Sequence, residues 1–264
     1  MKLLRVNTLL RRLVTRSSVC MFHLGRCGST VLASLLTQHR VLIRWSGEIY
    51  ESMRQNPSKF SHLSSPFEAI SERRNRFPPR PVYGLEIKFS RSRHLAPELL
   101  NTNLKSCIDE LRTLEFTKFI VLRRRNYLRQ LLSSWIAWRS KIFHQPRNAP
   151  GHAPFKVTVN PARCNRGFWI KSLIEHLNDI DAEYQEIYNE LAQDRILKLE
   201  YEDDILENPR IAYEKTCEFL NIRPHGFAPD LARTNPFRVA DMITNFQEIE
   251  KCLSGTRFAW MLYD

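Results

Sequence analysis

Ser18-Val19-Cys20-Met21-Phe22-His23-Leu24-Gly25-Arg26-Cys27-Gly28-Ser29-Thr30-Val31-Leu32-Ala33-Ser34-Leu35-Leu36 is the most informative run of the 264-residue chain. Residues 18–24 read as a buried strand, and Val31, Leu32, Leu35 and Leu36 then recur at helical spacing. Between them lies a glycine-bearing turn. A strand that turns sharply into a helix leaves the first backbone N–H groups of that helix unpaired at the positive end of its dipole, which is an anion site. Gly25 and Gly28 allow close approach of the backbone, Arg26 adds a fixed charge, and Ser29 and Thr30 add hydroxyl donors. A nucleotide-triphosphatase loop would need a lysine after its second glycine, and here Gly28 is followed by Ser29.

The pattern occurs a second time. Phe119-Ile120-Val121-Leu122 reads as a strand that leaves into Arg123-Arg124-Arg125, and Asn126 to Lys141 reads as a helix with Ser133 eight residues beyond Arg125. Arginine suits helix C-termini, so its clustering before a helix N-terminus calls for an anion. Ligands of open α/β sheets gather at the carboxyl ends of strands. Two such ends imply a ligand with phosphate-like groups at both of its own ends.

The rest of the chain supplies the frame. Residues 81–88 and 196–201 read as further strands, and residues 97–115, 166–192 and a segment starting at Asn208-Pro209 read as helices. Strands alternating with helices imply an α/β domain of three layers, a largely parallel sheet flanked by helices. Residues 144–165 hold Pro146, Pro150, Pro154 and Pro161 and form one long irregular stretch, the expected place for a binding loop. Residues 17–264 read as a single domain. Residues 1–16 form a basic, acid-free segment with Leu3, Val6, Leu10, Leu13 and Val14 on one helical face. It suits either packing on the domain or peripheral contact with a membrane.

Forty Lys+Arg against 28 Asp+Glu give a net charge of +12, and no acid precedes Glu48. Such a field attracts polyanions: nucleic acid, an anionic membrane or a polyphosphorylated small ligand. No helix-turn-helix, zinc-finger, RRM or KH signature appears, which argues against nucleic acid as the partner. The six cysteines are scattered, with no C-x-x-C pair and no histidine at zinc spacing, so free thiols and a cytoplasmic, metal-free protein are expected.

The two anion loops together resemble the family of sulfotransferases that use 3′-phosphoadenosine 5′-phosphosulfate (PAPS). The 5′-phosphosulfate signature of that family is similar to Arg26-Cys27-Gly28-Ser29-Thr30, and its 3′-phosphate signature, an Arg with a Ser eight residues on, is similar to Arg125 and Ser133. Arg123 and Arg124 leave the choice of arginine open. Leu199-Glu200-Tyr201-Glu202-Asp203-Asp204 resembles the family's Y-E-D-L segment, and Asn245-Phe246-Gln247-Glu248-Ile249-Glu250 resembles the tail of bacterial, nodulation-type members.

The resemblance spans about residues 19–260 and implies a P-loop-like sulfotransferase fold. It also implies that Arg26, Cys27, Gly28, Ser29 and Thr30 hold the 5′-phosphosulfate, that Arg125 and Ser133 hold the 3′-phosphate, and that Tyr201 lies near the adenine. No metal is required. The acceptor it points to is a carbohydrate or glycolipid hydroxyl, with residues 139–165 as the acceptor loop. A P-loop phosphotransferase or a nucleic-acid binder stands as the alternative.

Sulfuryl transfer, like phosphoryl transfer, relies on positioning and charge neutralisation. Arg26 would neutralise the leaving phosphate, since arginine cannot donate a proton near neutral pH. Glu48, which follows Gly47 as in bacterial members, is the expected base, and His94 is the alternative. A surface pairing of Glu48 with Arg44 is the bland possibility, as is a Lys88 that only reaches for water. Trp135 and Trp138 share a helix side that serves either the core or a sugar-binding surface.

Overall fold

The computed structural model describes residues 17–76 and 78–263; residues 1–16, with their expected amphipathic face, lie outside them. Five parallel strands form the central sheet: β1 (Ser17–His23), β2 (Ile43–Trp45), β3 (Val82–Lys88), β4 (Lys118–Arg123) and β5 (Arg195–Glu200), in spatial order β2-β3-β1-β4-β5. Every residue of β1 is buried, as a central strand covered on both faces must be.

Its alternate side chains feed two cores. Val19 and Met21 pack with α1 (Ser29–Thr37) and with α8 (Arg210–Leu220) on one face. Cys20 and Phe22 pack on the other face with α4 (Leu104–Thr113), α5 (Tyr127–Ser140) and α6 (Leu173–Glu190). The three-layer parallel α/β fold expected from the sequence is present. Smaller helices complete it: α2 (Ile49–Gln55), α3 (Glu68–Asn75), α7 (Tyr201–Asp204), α9 (Val239–Met242) and α10 (Phe246–Leu253). Among the described residues no helix is long and apolar enough to cross a membrane.

Two helix starts differ from expectation. The helix expected over 97–115 begins only at Leu104, because Asn103 caps it by accepting the Ser106 N–H at 2.8 Å. The helix expected from 166 begins at Leu173, where Ser172 and Glu175 form a reciprocal capping box. Residues before it form a hairpin instead, Cys164–Arg166 against Trp169–Lys171, turning through Gly167 at φ +64°. The irregular stretch is otherwise as expected, apart from a two-residue pairing of Gln145–Pro146 with Leu231–Ala232 and a single parallel bridge of Val157 to Ile243.

The register places the site. β1 pairs with β3 from Ser17↔Val82 to His23↔Lys88, and with β4 up to His23↔Leu122, so three strands end level with one another. After β1 the chain turns toward β2 and β3; after β4 it turns toward β5. The carboxyl ends of β1 and β4 therefore border the crevice where the strand order reverses, the usual ligand position of such sheets. On the other flank, a Cβ at Gly84 would lie 2.2 Å from the Trp45 ring, so only glycine lets that indole lie flat on β3.

Candidate functional site

The loop after β1 is clamped by groups from β4 and α5. The Gly25 carbonyl accepts a bond from Gln130 Nε2 at 2.6 Å, and the Arg26 carbonyl accepts one from Arg124 Nη1 at 3.2 Å. Gly25, Arg26 and Gly28 all have positive φ, which turns successive N–H groups toward one side. No side chain caps α1, and the first-turn amides of Ser29 and Thr30 are left facing the crevice. Cys27 is fully buried in the α1-side core, so only its backbone can serve a ligand.

Arg26 reaches across to the second strand end. Its Nε donates to Ser133 Oγ at 3.0 Å, Nη1 to the Phe143 carbonyl at 2.8 Å and Nη2 to Thr234 Oγ1 at 3.0 Å. Asn235 Nδ2 also approaches Ser133 Oγ, at 3.4 Å. The two motifs expected to flank one ligand thus lie side by side.

The three arginines after β4 point three ways. Arg123 lies over the rings of Tyr127 and Tyr184 and bonds Tyr127 and Asp181. Arg124 is buried, with its guanidinium 4.5 Å from the Tyr201 ring centroid. Arg125 donates to Asp203 Oδ1 at 2.5 Å and lies 3.8 Å from Glu202, while Ser133 Oγ accepts from Arg26 instead. The structure therefore brings Arg26, Arg124, Ser133 and Tyr201 together, and leaves Arg125 on an acidic edge.

Beyond Gly25 the crevice meets a set of paired acids and bases. Lys88 Nζ bonds Glu48 Oε2 at 2.5 Å, and its stem passes against Gly25, where an added Cβ would lie 3.6 Å from Lys88 Cε. Lys88 is neither solvent-reaching nor idle. Glu48 pairs here and lies 3.8 Å from His23 Nε2. Burial alone would raise the Glu48 carboxyl, but His23 and Lys88 outweigh it and hold it below the usual carboxylate range. Behind it, His23 Nδ1 accepts the Gly25 N–H at 3.1 Å, and Glu86 is held by Trp45 Nε1 at 2.8 Å and His23 Nε2 at 3.3 Å. His94 accepts the Lys88 N–H through Nδ1 at 2.9 Å and sits 3.9 Å from Glu51. It is fully buried, which lowers its pKa, so it is a neutral support for Lys88 with less access than Glu48.

Two clusters, His23–Glu48–Glu86 and Glu48–Glu51–His94, have the ligand types and closeness to hold a metal ion. In both, the carboxylates already have cationic or N–H partners, as charge-balanced proton networks do.

All this opens into a cavity of about 1580 Å³ lined by Thr30, Glu48, Lys88, Trp135, Trp138 and residues of 157–170. Trp138 is 45% exposed on its wall, so it is not core, while Trp135 donates Nε1–H to the Asn165 carbonyl at 2.7 Å. The loop is pinned from the tail: the Asn245 side chain accepts from Val159 N–H at 3.0 Å and donates to its carbonyl at 2.7 Å.

Sequence reading missed Gln130, Thr234, Asn235 and His144, the last lining the cavity near Arg26, Glu48 and Lys88. A polar Gln130 inside an apolar helix face and the Arg233-Thr234-Asn235 cluster in a loop were the available signals.

Neither a family model nor a curated protein matches the chain. Among solved structures it is similar to a sulfotransferase from Alicyclobacillus acidocaldarius, at 13% identity, with a TM-score of 0.48 over 84% of this chain and 88% of that one.

Proposed function

We propose that the chain is a sulfotransferase that moves the sulfuryl group of PAPS to a hydroxyl of a carbohydrate or glycolipid, releasing 3′-phosphoadenosine 5′-phosphate (PAP). One observation carries this reading: the Arg26 side chain, rooted in the loop after β1, meets Ser133 of the second motif at 3.0 Å. A single ligand with anionic groups at both ends fits that contiguous pair of sites.

The donor set suits such a ligand: uncapped first-turn amides, two hydroxyls and Arg26, whose three bonds go to neutral oxygens. PAPS would supply the transferable sulfuryl group and a phosphate leaving group. Gly28, Ser29, Thr30 and the Arg26 backbone would hold the 5′ end. Arg26, Ser133, Thr234 and Asn235 would hold the 3′-phosphate, with Arg124 and Tyr201 beside the nucleoside. Arg125 would reach the nucleotide only by releasing Asp203.

Glu48 is assigned as the base that accepts the acceptor hydroxyl's proton as the new O–S bond forms and the bond to the 5′-phosphate breaks. Lys88, between Glu48 and Gly25, would neutralise charge on the transferring group. Its ammonium could then exchange Glu48 for the sulfuryl oxygens, raising the basicity of Glu48 when it is needed.

PAP is the direct probe. At about 100 times its Kd it should stabilise the fold by about 2.7 kcal/mol, roughly 5–10 °C in Tm for a chain of this size. A flat melting temperature up to millimolar PAP sinks the assignment.

A further inference from the structure

Arg93 is a cation that the transfer chemistry leaves unused. It follows β3, lines the large cavity and is only partly accessible. Among the described residues no carboxylate pairs with it. Its charged surroundings are Glu51, Arg54, Arg166 and Glu48, and both acids are already engaged: Glu48 by Lys88, and Glu51 by Arg54 with His94 nearby. A guanidinium taken out of water with like charges near it is unfavourable unless an anion joins it.

Arg166 stands in the same condition. Its Nη2 bonds Glu183, yet Nη1 is buried with no partner. Glu183 is engaged elsewhere on both oxygens, the second accepting from Ser90 Oγ at 2.8 Å, and among the described residues it makes no ion pair with Arg93. The two arginines are also held relative to each other. Gly167, next to Arg166, presses on the segment bearing Arg93 so closely that an added Cβ would lie 3.0 Å from Ser92 Cβ.

We propose that Arg93 and Arg166 form a subsite for an oxyanion, a carboxylate or a sulfate, carried by the acceptor itself. On the sulfotransferase reading, on which this rests, the acceptor is then an acidic saccharide and not a neutral one. The subsite lies in the same cavity as Glu48 and Trp138, so one short oligosaccharide can present a hydroxyl to Glu48, a ring face to Trp138 and its anionic group to the arginines.

The test uses the full chain saturated with PAP and three tetrasaccharides of one backbone: uronate-bearing, sulfate-bearing and carboxyl-reduced neutral. Calorimetry should show one of the anionic forms binding about tenfold or more tighter than the neutral form, as two charge-assisted hydrogen bonds allow. Arg93→Gln should erase that preference and Arg93→Lys should keep part of it, with the PAP-induced rise in Tm unchanged in both, which certifies the fold. Which anionic form wins separates a uronate from an already sulfated sugar. Equal affinity for all three, or a preference that survives in Arg93→Gln, overturns the subsite. If PAP does not stabilise the protein, the sulfotransferase reading fails on that result alone, and the same titration without PAP still decides the subsite.

Discussion

The crevice has two halves that handle charge in opposite ways. At the β1–β4 end, Arg26 donates to two hydroxyl oxygens and one backbone carbonyl, with no carboxylate among its bonds. The acids of that neighbourhood, Glu202 and Asp203, are drawn away by Arg125. At the β3 end, by contrast, Glu48, Glu51 and Glu86 are each paired with Lys88, Arg54 or imidazole and indole N–H groups. In the first half the Arg26 charge meets only neutral oxygens; the second half is balanced. Charge left uncompensated is what binding a polyanion needs, and balanced acid–base pairs are what moving a proton needs.

Removing Arg26 tests that contrast most severely. Arg26→Ala should cut kcat/KM for PAPS by about 10–100-fold, the loss expected of charge-assisted hydrogen bonds to the 3′-phosphate, with kcat less affected. It should also weaken PAP, seen as a smaller rise in Tm at fixed PAP. Full PAP binding with lost turnover would move Arg26 from the binding half to the chemical half.

Glu48→Gln probes the other half. Turnover should fall about 10²-fold, within the range of a lost general base, with PAP binding unchanged. Because Glu48 is held below the usual carboxylate range, wild-type kcat/KM should decline only as pH falls through that low value, and the acid limb should vanish in the variant. Retained activity in Glu48→Gln would transfer the role of base to another group that lines the cavity, His94 or His144.

The two halves were also unequally legible. The binding half is written in contiguous residues: strand, glycine turn, helix, twice over, so Arg26, Gly28, Ser29 and Ser133 could be named from local pattern and spacing. The other half is assembled by register. Glu48 meets Lys88 because Trp45 pairs with Gly84, and no periodicity in the chain announces a contact 40 residues long. Thr234 reaches Arg26 across 208 residues, and Arg93 becomes notable only once its neighbours are seen to be taken. Among the three arginines the sequence could not choose, since successive residues leaving a strand diverge by side-chain direction alone. The late start of α4 and the hairpin before α6 turned on single capping residues, Asn103 and Ser172, whose effect is decided by whether their side chains find a backbone N–H.

The smallest expected effect concerns how carboxylates are kept off the binding half. Glu200 ends β5 beside Arg123, with one buried oxygen lacking any partner. Burial pushes its carboxyl up to about 7; Glu202 and Asp203 add to the shift, and Arg123 opposes it. Between the ordinary value of 4.5 and about 7, the folded chain then holds a proton that the unfolded chain has released. That contribution to stability is full below 4.5 and is lost as pH rises through 7. Glu200→Gln removes the cost of ionisation, so it should raise stability at pH 8 by about 1–3 kcal/mol, and by progressively less toward pH 5. Denaturant melts of both proteins at the two pH values measure the difference. If the variant is instead less stable at pH 8, Glu200 is an ionised partner of Arg123, and a carboxylate counts among the charges next to the binding half after all.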